Sequence, residues 1–529
     1  VIGNFPDRNA AESLQRLPGV SIQRDQGEGR FANVRGIGPN LNQVKINDTS
    51  IPAPESGERG VALDVLPSEL IESLEVSKTL TADMDADAVG GTINVKSLSG
   101  LDREQESYTV SAESGYNQLA DKFNPKLSAS YSNAYSLGQG RKLGLATAVS
   151  WRKRRFDSHN IESDGGWSNI EFEDPLTGAT HQIFGAEEIE QRFYQITRER
   201  TGLAFNVGYH HTNNSQHHVK ALYSKYTDEE FRLRNEYKFA KGQVDVSSLT
   251  ERSAQFFDFP VDKDTKDRLE VQKILSVTVG GELQRDTWLW SYNVGYARSS
   301  EDVPDRIQTN FEGQDFHAGY KSTGPIPQLS LTNDLHFPNN FALEEVSLES
   351  KYSEDEEQSV KLDLSKTIHW RDSEVRVKFG GKYRSRSKVS QVDVKTYDGG
   401  FNRISADAFS IPFNDWSLGQ FGPALSQSEV RQFVRNNQTL FELNNNESRI
   451  ESQGDSYNSD EDILASYGLL DVTVNKWRFN TGLRYESTFF STTGKRIDFI
   501  TDEVNDSEQV VISPWSVNKE YEHWLPNLN

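Results

Sequence analysis

Two histidine pairs, His210-His211 and His217-His218, lie close enough in the chain for four imidazoles to meet on one transition metal. No cysteine exists in the chain, and no nearby carboxylate completes a recognisable ligand spacing, so the favoured reading is a solvated turn between two strands and no metal site is assigned. Asp83, Asp85 and Asp87 alternate like the opening of a calcium loop, but Ala88 stands where that loop needs glycine and Asn94 where it needs glutamate. Glu187, Glu188 and Glu190, and the run from Glu354 to Glu357, offer paired carboxylates. Adjacent acids lack the cross-cleft geometry of a glycosidase pair and read as solvated acidic loops. Val34-Arg35-Gly36-Ile37-Gly38 lacks the third glycine and the following helix of a dinucleotide loop. With no serine-hydrolase elbow, phosphate loop or zinc-protease motif either, neither an enzyme nor a cofactor is expected. Trp167, Trp416 and Trp515 sit among Asn, Asp and Glu in segments that read as loops, where an aromatic face beside polar groups suits a sugar and equally suits loop packing.

The formal charge of −22 argues against nucleic acid as a partner. No run of 18 apolar residues is present, so no transmembrane helix is expected. That does not exclude a membrane barrel, in which only alternate residues meet lipid. Val1 to Pro6 has neither the basic start nor the apolar run of a secretory leader; the expectation is a chain that begins after processing.

Residues 1–100 read as a small α/β domain. Pro6 to Asn9 signals a helix start, capped by Asp7 or Asn9, with Ala10, Leu14 and Leu17 on one face and Pro18-Gly19 as the stop. Short strands follow near Val20–Ile22, Phe31–Arg35, Gln43–Ile46, Leu74–Val76 and Thr92–Lys96. From about residue 105 the period is two. Trp288, Trp290, Tyr292 and Val294 alternate with Leu289, Ser291, Asn293 and Gly295, and Val375, Val377 and Phe379 alternate with Arg376, Lys378 and Gly380. Trp477, Phe479 and Leu483 alternate with Arg478, Asn480 and Gly482. A lipid-facing Arg or Lys costs about 2–4 kcal/mol at mid-membrane, so Arg376, Lys378, Arg478 and Arg484 are expected to point into a lumen and the aromatic set outward. Short links near Ser136–Arg141, Thr212–Gln216, Arg285–Asp286, Arg371–Ser373 and Asn475 alternate with long ones near 152–200, 227–268, 300–358, 387–464 and 488–519. The first outward link, near Asn117–Pro125, is short. Tight turns on one side and long loops on the other mark an outer-membrane barrel. Residues 101–529 account for about twelve strands of the roughly 22 of a plugged transporter, so the natural chain is expected to continue.

Leu17-Pro18-Gly19-Val20, Val34-Arg35-Gly36, Ile71-Glu72-Ser73-Leu74-Glu75-Val76 and Gly90-Gly91-Thr92-Ile93-Asn94-Val95, in that order, resemble the plug domain of TonB-dependent outer-membrane receptors. The segments Asp25 to Phe31 and Ala82 to Ala88 resemble a subgroup that includes carbohydrate transporters. The resemblance implies a location in the outer membrane of a Gram-negative bacterium, with lipid around the barrel and long loops outside the cell. It implies active uptake of a small solute, with TonB pulling on a box upstream of the plug, before Val1, and it admits a surface lipoprotein as a further partner. An oligosaccharide or other organic nutrient is the favoured cargo and a ferric siderophore the alternative; a binding or adhesion protein without transport is the second alternative. The apical turns of the plug, with Ile37, Asn40, Asn42, Glu55, Glu58 and Arg59, are the expected ligand contacts, together with Trp167, Trp416 and Trp515. A polar interface between plug and barrel is expected from Arg30, Arg35, Glu69, Glu75, Glu113, Arg376, Arg478 and Arg484, with Glu28 and Glu486 as further partners.

Overall fold

The computed structural model describes residues 7–529 apart from 102, 104, 164, 175–176, 213, 371–372, 414–415 and 503–506. Helix α1 (Ala10–Leu14) starts where the Asn9 side chain accepts from the Glu12 amide. It ends before Pro18-Gly19, where Gly19 takes the positive φ of 73° that reverses the chain. Strands β1 (Val20–Asp25) and β2 (Glu28–Val34) form a hairpin. Strands β3 (Asn42–Ile46), β4 (Thr49–Ser50), β5 (Ile71–Ser77) and β6 (Gly91–Ser97) form a second sheet in the order β4-β3-β6-β5, with β3 and β6 parallel. Leu14, Val34, Ile46, Leu63, Val65, Leu70, Ile93 and Val95 are the buried core of this unit.

The rest of the chain is a wall. In order it comprises β7 (Ser107–Asn117), β8 (Lys122–Gly138), β9 (Arg141–Glu162), the loop hairpin β10 (Ser168–Glu173) and β11 (Thr180–Gly185), β12 (Ile189–Thr212) and β13 (Ser215–Tyr237). Then come β14 (Gln243–Val244), β15 (Ser253–Arg285), β16 (Trp288–Lys321), β17 (Gln328–Leu331), β18 (Ala342–Trp370) and β19 (Ser373–Gly399). The next link holds β20 (Ser410–Ile411), β21 (Ala424–Leu425), α2 (Gln427–Asn437), β22 (Glu442–Leu443) and α3 (Asn445–Gly454). Last are β23 (Tyr457–Val474), β24 (Trp477–Asp502) and β25 (Ser507–Leu528). Twelve long strands pair as sequence neighbours, in the order β25-β24-β23-β19-β18-β16-β15-β13-β12-β9-β8-β7. Among the described residues β7 and β25 are the two ends of this sheet.

Alternation sorts the faces as the sequence implied. Trp290 is 55% exposed and Phe379 58% exposed on the outer face, in a belt with Leu362, Phe479 and Leu483. Gly295, Ala297, Lys382 and Arg484 face the N-terminal unit. Two inward glycines mark where that unit presses closest. A Cβ at Gly202 would lie 2.6 Å from Leu70, and one at Gly295 would lie 2.6 Å from the Thr49 hydroxyl.

Tight turns join β8 to β9, β15 to β16 and β23 to β24. The short link at 371–372 lies outside the described residues, between strands that end at Trp370 and begin at Ser373. The opposite links differ from expectation. Much of what reads as loop is strand: β15 has 33 residues and β16 has 34, where about 9–11 cross a membrane. In these outer parts buried positions include Asp262, Lys263, Asp264 and Thr309 as well as Ile307 and Phe311, so the apolar–polar contrast fades while the pairing continues. Thus Asp355 and Glu357 are buried in β18, not solvated in a loop, and Glu354 pairs outward with Arg298. The β19–β23 link reaches the opposite wall. Arg431 on α2 pairs with Asp267 at 2.6 Å and Asp305 at 2.5 Å, and Asn235 donates to the Phe421 carbonyl at 2.8 Å. Phe239, Phe256, Phe259, Phe316, Phe341 and Phe409 give these outer segments an apolar core of their own.

Candidate functional site

The N-terminal unit is held in the wall by two buried charge clusters. In the first, Arg198 and Arg200 on β12 are two residues apart and so share a face. Both converge on Glu28 at the start of β2, at 3.0 and 2.7 Å, and Arg154 on β9 completes the set at 2.9 Å. Arg198 also meets Asp25 at 2.5 Å and Asp228 at 3.3 Å. Burial alone would raise the Glu28 carboxyl, yet the three arginines around it hold it well below the usual carboxylate range. Asp64 is the odd member. It is fully buried, and neither of its carboxylate oxygens has a protein hydrogen-bond partner. Burial pushes its carboxyl up, and Arg30, Arg200 and Arg198 offset only part of that.

The second cluster surrounds the irregular segment between β5 and β6. Asp83 meets Lys378 at 2.6 Å, Asp85 meets Lys382 at 2.7 Å, and Asp87 accepts from Arg384 at 2.9 Å. These three cations stand at even positions of β19, a single inward ladder. Arg484 of β24 donates to the Ala82 carbonyl and lies 3.6 Å from Asp85; Lys361 of β18 donates to the Asp83 carbonyl at 2.9 Å. Within the N-terminal unit, Lys45 meets Asp85 at 2.9 Å. Burial disfavours ionisation of Asp83, but Lys378 beside it outweighs this and its carboxyl falls to about 2. Against the same opposing burial, Lys382 and Lys45 depress Asp85, and Arg384 depresses Asp87.

Higher on the wall, Lys388 donates to the Glu55 and Glu58 carbonyls at 2.5 and 2.9 Å, and the Tyr457 hydroxyl donates to the Ser56 carbonyl. These bonds hold the 55–59 turn by its backbone oxygens. Beside the turn lies a cavity of about 210 Å³ that shares Tyr457 with a larger one of about 470 Å³. Below, a cavity of about 310 Å³ separates the acidic segment and β5–β6 from β13, β15, β16 and β18.

A polar, ion-bonded unit filling the lumen side of an antiparallel wall with an apolar outer belt is the architecture of a plugged outer-membrane receptor. The model of the TonB-dependent receptor plug domain matches residues 1–92, and that of an outer membrane protein beta-barrel family matches residues 427–529. This chain carries the plug domain of a TonB-dependent receptor. The vitamin B12 transporter BtuB of Vibrio cholerae is 21% identical over 348 residues, covering 62% of this chain and 51% of that protein. The chain thus spans about half the length of the curated relatives it matches. Among solved structures it is similar to the ferric enterobactin receptor of Pseudomonas aeruginosa, at 8% identity and a TM-score of 0.30, covering 97% of this chain and 89% of that one. It is also similar to the ferric citrate transporter FecA, at 8% identity and a TM-score of 0.24, covering 98% and 95%. Neither structural likeness bears on the assignment. The receptor lies in the Gram-negative outer membrane, and none of its described helices is long and apolar enough to span one.

Of the receptor residues singled out for the plug–barrel interface, four bridge it, Glu28 among them through Arg154, Arg198 and Arg200. Arg30 joins Glu55 at 2.6 Å to Glu270 of β15 at 3.7 Å, Glu69 meets Lys126 of β8 at 2.6 Å, and Arg484 reaches the acidic segment. The others do not. Arg35 donates to the Gly90 carbonyl inside the plug, and Glu75 pairs with Lys96 of β6. Glu113, Arg376 and Arg478 pair along the wall with Lys126, Glu374 and Asp471, Glu113 sharing a cavity with Glu69 of the plug. The interface is also not polar throughout: Ala148, Ala204, Leu222, Ile274 and Ala297 of the wall join the plug's apolar core.

The expected ligand contacts divide likewise. Asn42 is buried and staples the 37–42 turn by donating to the Ile37 and Gly38 carbonyls, so it is internal structure rather than a contact. Asn40 accepts from the Arg59 and Gly60 amides and ties the two apical turns together, with half-buried Ile37 alongside. Glu55 is engaged by Arg30 and Gln272, while Glu58 and Arg59 line the smaller upper cavity. Trp416 is 5% exposed, packs on Phe421, donates to the Arg192 carbonyl and lines a separate cavity of about 360 Å³ among the outer links. Trp167 packs edge-on against Tyr320 in the apolar core of these outer segments. Trp515 lies on β25 rather than in a loop, 51% exposed, and lines the 470 Å³ cavity. The histidines cannot converge: pairing puts His218 on the plug side, where it lines the lower cavity, and His217 on the other face of β13. Asp64, Arg198 and Arg200 carried no local signal beyond the parity of the two arginines.

Proposed function

We propose that this receptor drives energised uptake of a solute across the outer membrane. TonB would act on a segment preceding the plug, and the cargo would be an oligosaccharide. The observation that carries the cargo is the 470 Å³ cavity. Tyr457 and Trp515 line it with Ser390, Gln391, Asn458 and Thr493; Lys495 is the one charged residue on that lining among the described residues, and Arg496 lies over the Trp515 ring at 5.6 Å. Flat apolar faces ringed by neutral hydroxyls and amides suit a sugar ring, whose faces are apolar and whose edge is a ring of hydroxyls. The cavity meets the plug's 55–59 turn through Tyr457, so a bound solute would touch both wall and plug. The charged clusters beneath support a plug that seals at rest and yields only to applied work.

Deletion of the gene, followed by growth on single oligosaccharides and under iron starvation, tests the reading. A growth defect on an oligosaccharide that is reproduced by removing TonB supports it. A defect confined to iron starvation would replace the cargo with a ferric siderophore. Uptake that persists without TonB would replace transport with passive permeation or surface binding.

A further inference from the structure

We propose that the slot occupied by residues 82–87 is the receptor's own anion site, filled at rest by three plug carboxylates, and that the solute it passes carries carboxylates. The inference rests on the uptake reading and narrows its cargo.

Five wall cations touch the segment: Lys361, Lys378, Lys382, Arg384 and Arg484. Three wall carboxylates share them: Asp363 meets Lys378 at 3.2 Å and Lys361 at 3.7 Å, Glu357 meets Arg384 at 3.1 Å, and Glu486 meets Arg484 at 2.6 Å. On the plug, Asp83, Asp85 and Asp87 are set against Lys45. The cluster is therefore neutral while the plug is seated. When the segment leaves with Lys45, the wall keeps an excess of two cations. The segment has no helix or strand of its own, and the 310 Å³ cavity already opens beside it, lined by Lys45, Lys361 and Lys382. The remaining wall carboxylate on that lining, Glu282, lowers the excess to one without cancelling it. Asp48 and Glu75 are plug groups, bonded to Asn94 and Lys96, and Glu282 stands on β15 within reach of Gln216. A carboxylate-bearing solute entering as the acids withdraw would keep the wall compensated; a neutral solute would leave buried cations unpaired. Both an acidic oligosaccharide and a carboxylate iron chelate have this chemistry.

The test uses the full-length receptor in planar bilayers. The triple variant Asp83→Asn, Asp85→Asn, Asp87→Asn is expected to leak, and to pass chloride over potassium at least about twofold. Adding Lys382→Gln, Arg384→Gln and Arg484→Gln is expected to abolish that preference. Wild-type receptor loosened by urea gives the same reading if the triple variant does not insert. Preference for potassium, or a chloride preference untouched by the wall substitutions, overturns the proposal. Uptake of trigalacturonate, ferric citrate and neutral maltotriose then separates the sources: trigalacturonate marks the acidic sugar and ferric citrate the chelate. TonB-dependent uptake of maltotriose alone overturns the anion site and leaves the uptake reading standing. Loss of TonB dependence strikes the uptake reading and leaves the bilayer result intact.

Discussion

Replacing Glu28 by Gln probes how the plug is held. The carboxylate is fully buried and meets Arg154, Arg198 and Arg200 within 3.0 Å. The amide keeps the shape and removes the charge, leaving three guanidinium groups with Asp25 and Asp228 as their remaining close acids. Breaking a buried pair from one side costs about 3–5 kcal/mol, a factor of about 100 or more in a local opening constant. Hydrogen exchange of β1–β2 peptides in the membrane-embedded receptor reads that constant directly. Exchange should rise by about two orders of magnitude there and remain unchanged in β18–β19, whose contacts are to the acidic segment. Asp64 complicates the sum in a checkable way. Its carboxyl, pushed up by burial, gains reason to ionise once Glu28 is neutral, so Glu28→Gln with Asp64→Asn should cost more than the two singles together. Exchange within threefold of wild type in Glu28→Gln would show that the cluster does not hold the plug.

Asp64→Asn alone should stabilise the plug at pH 7.5. A carboxyl raised on folding supports the folded state at low pH and opposes it as pH rises through its unfolded value, so the gain should vanish below about pH 4; urea titrations at both pH values measure it. Trp416→Ala should loosen the β19–β23 link by about 3–5 kcal/mol, read as proteolysis of that link, with plug exchange unchanged. Trp515→Ala should weaken solute binding about tenfold without altering plug exchange, measured by calorimetry with the solute that growth assays identify. Gly295→Val should unseat the plug near Thr49, seen as bilayer leakage and faster exchange of β3–β4.

Side-chain alternation is a local property of an extended chain, and from it the sequence alone determined the barrel, the outward place of Trp290 and Phe379 and the inward place of Lys378 and Arg484. The tight turns were legible for the same reason, since a hairpin is a neighbour contact. The family's glycine and proline signals likewise located the plug, because they answer to backbone geometry over a few residues. What meets what was left to the tertiary structure. Glu28 lies 172 residues from Arg200, and Asp85 lies 297 from Lys382; such pairs depend on the tilt of the wall and the seating of the plug, to which no local pattern responds. The outer segments escaped for a related cause. Above the lipid the buried positions are polar as well as apolar, as at Asp262, Lys263, Asp264 and Thr309, so β15 and β16 lose their apolar–polar contrast while keeping their hydrogen bonds. Trp416 reads as a loop aromatic until the fold brings Phe421 against it. Periodicity records which side faces oil; only docking decides which charge is neutralised by which.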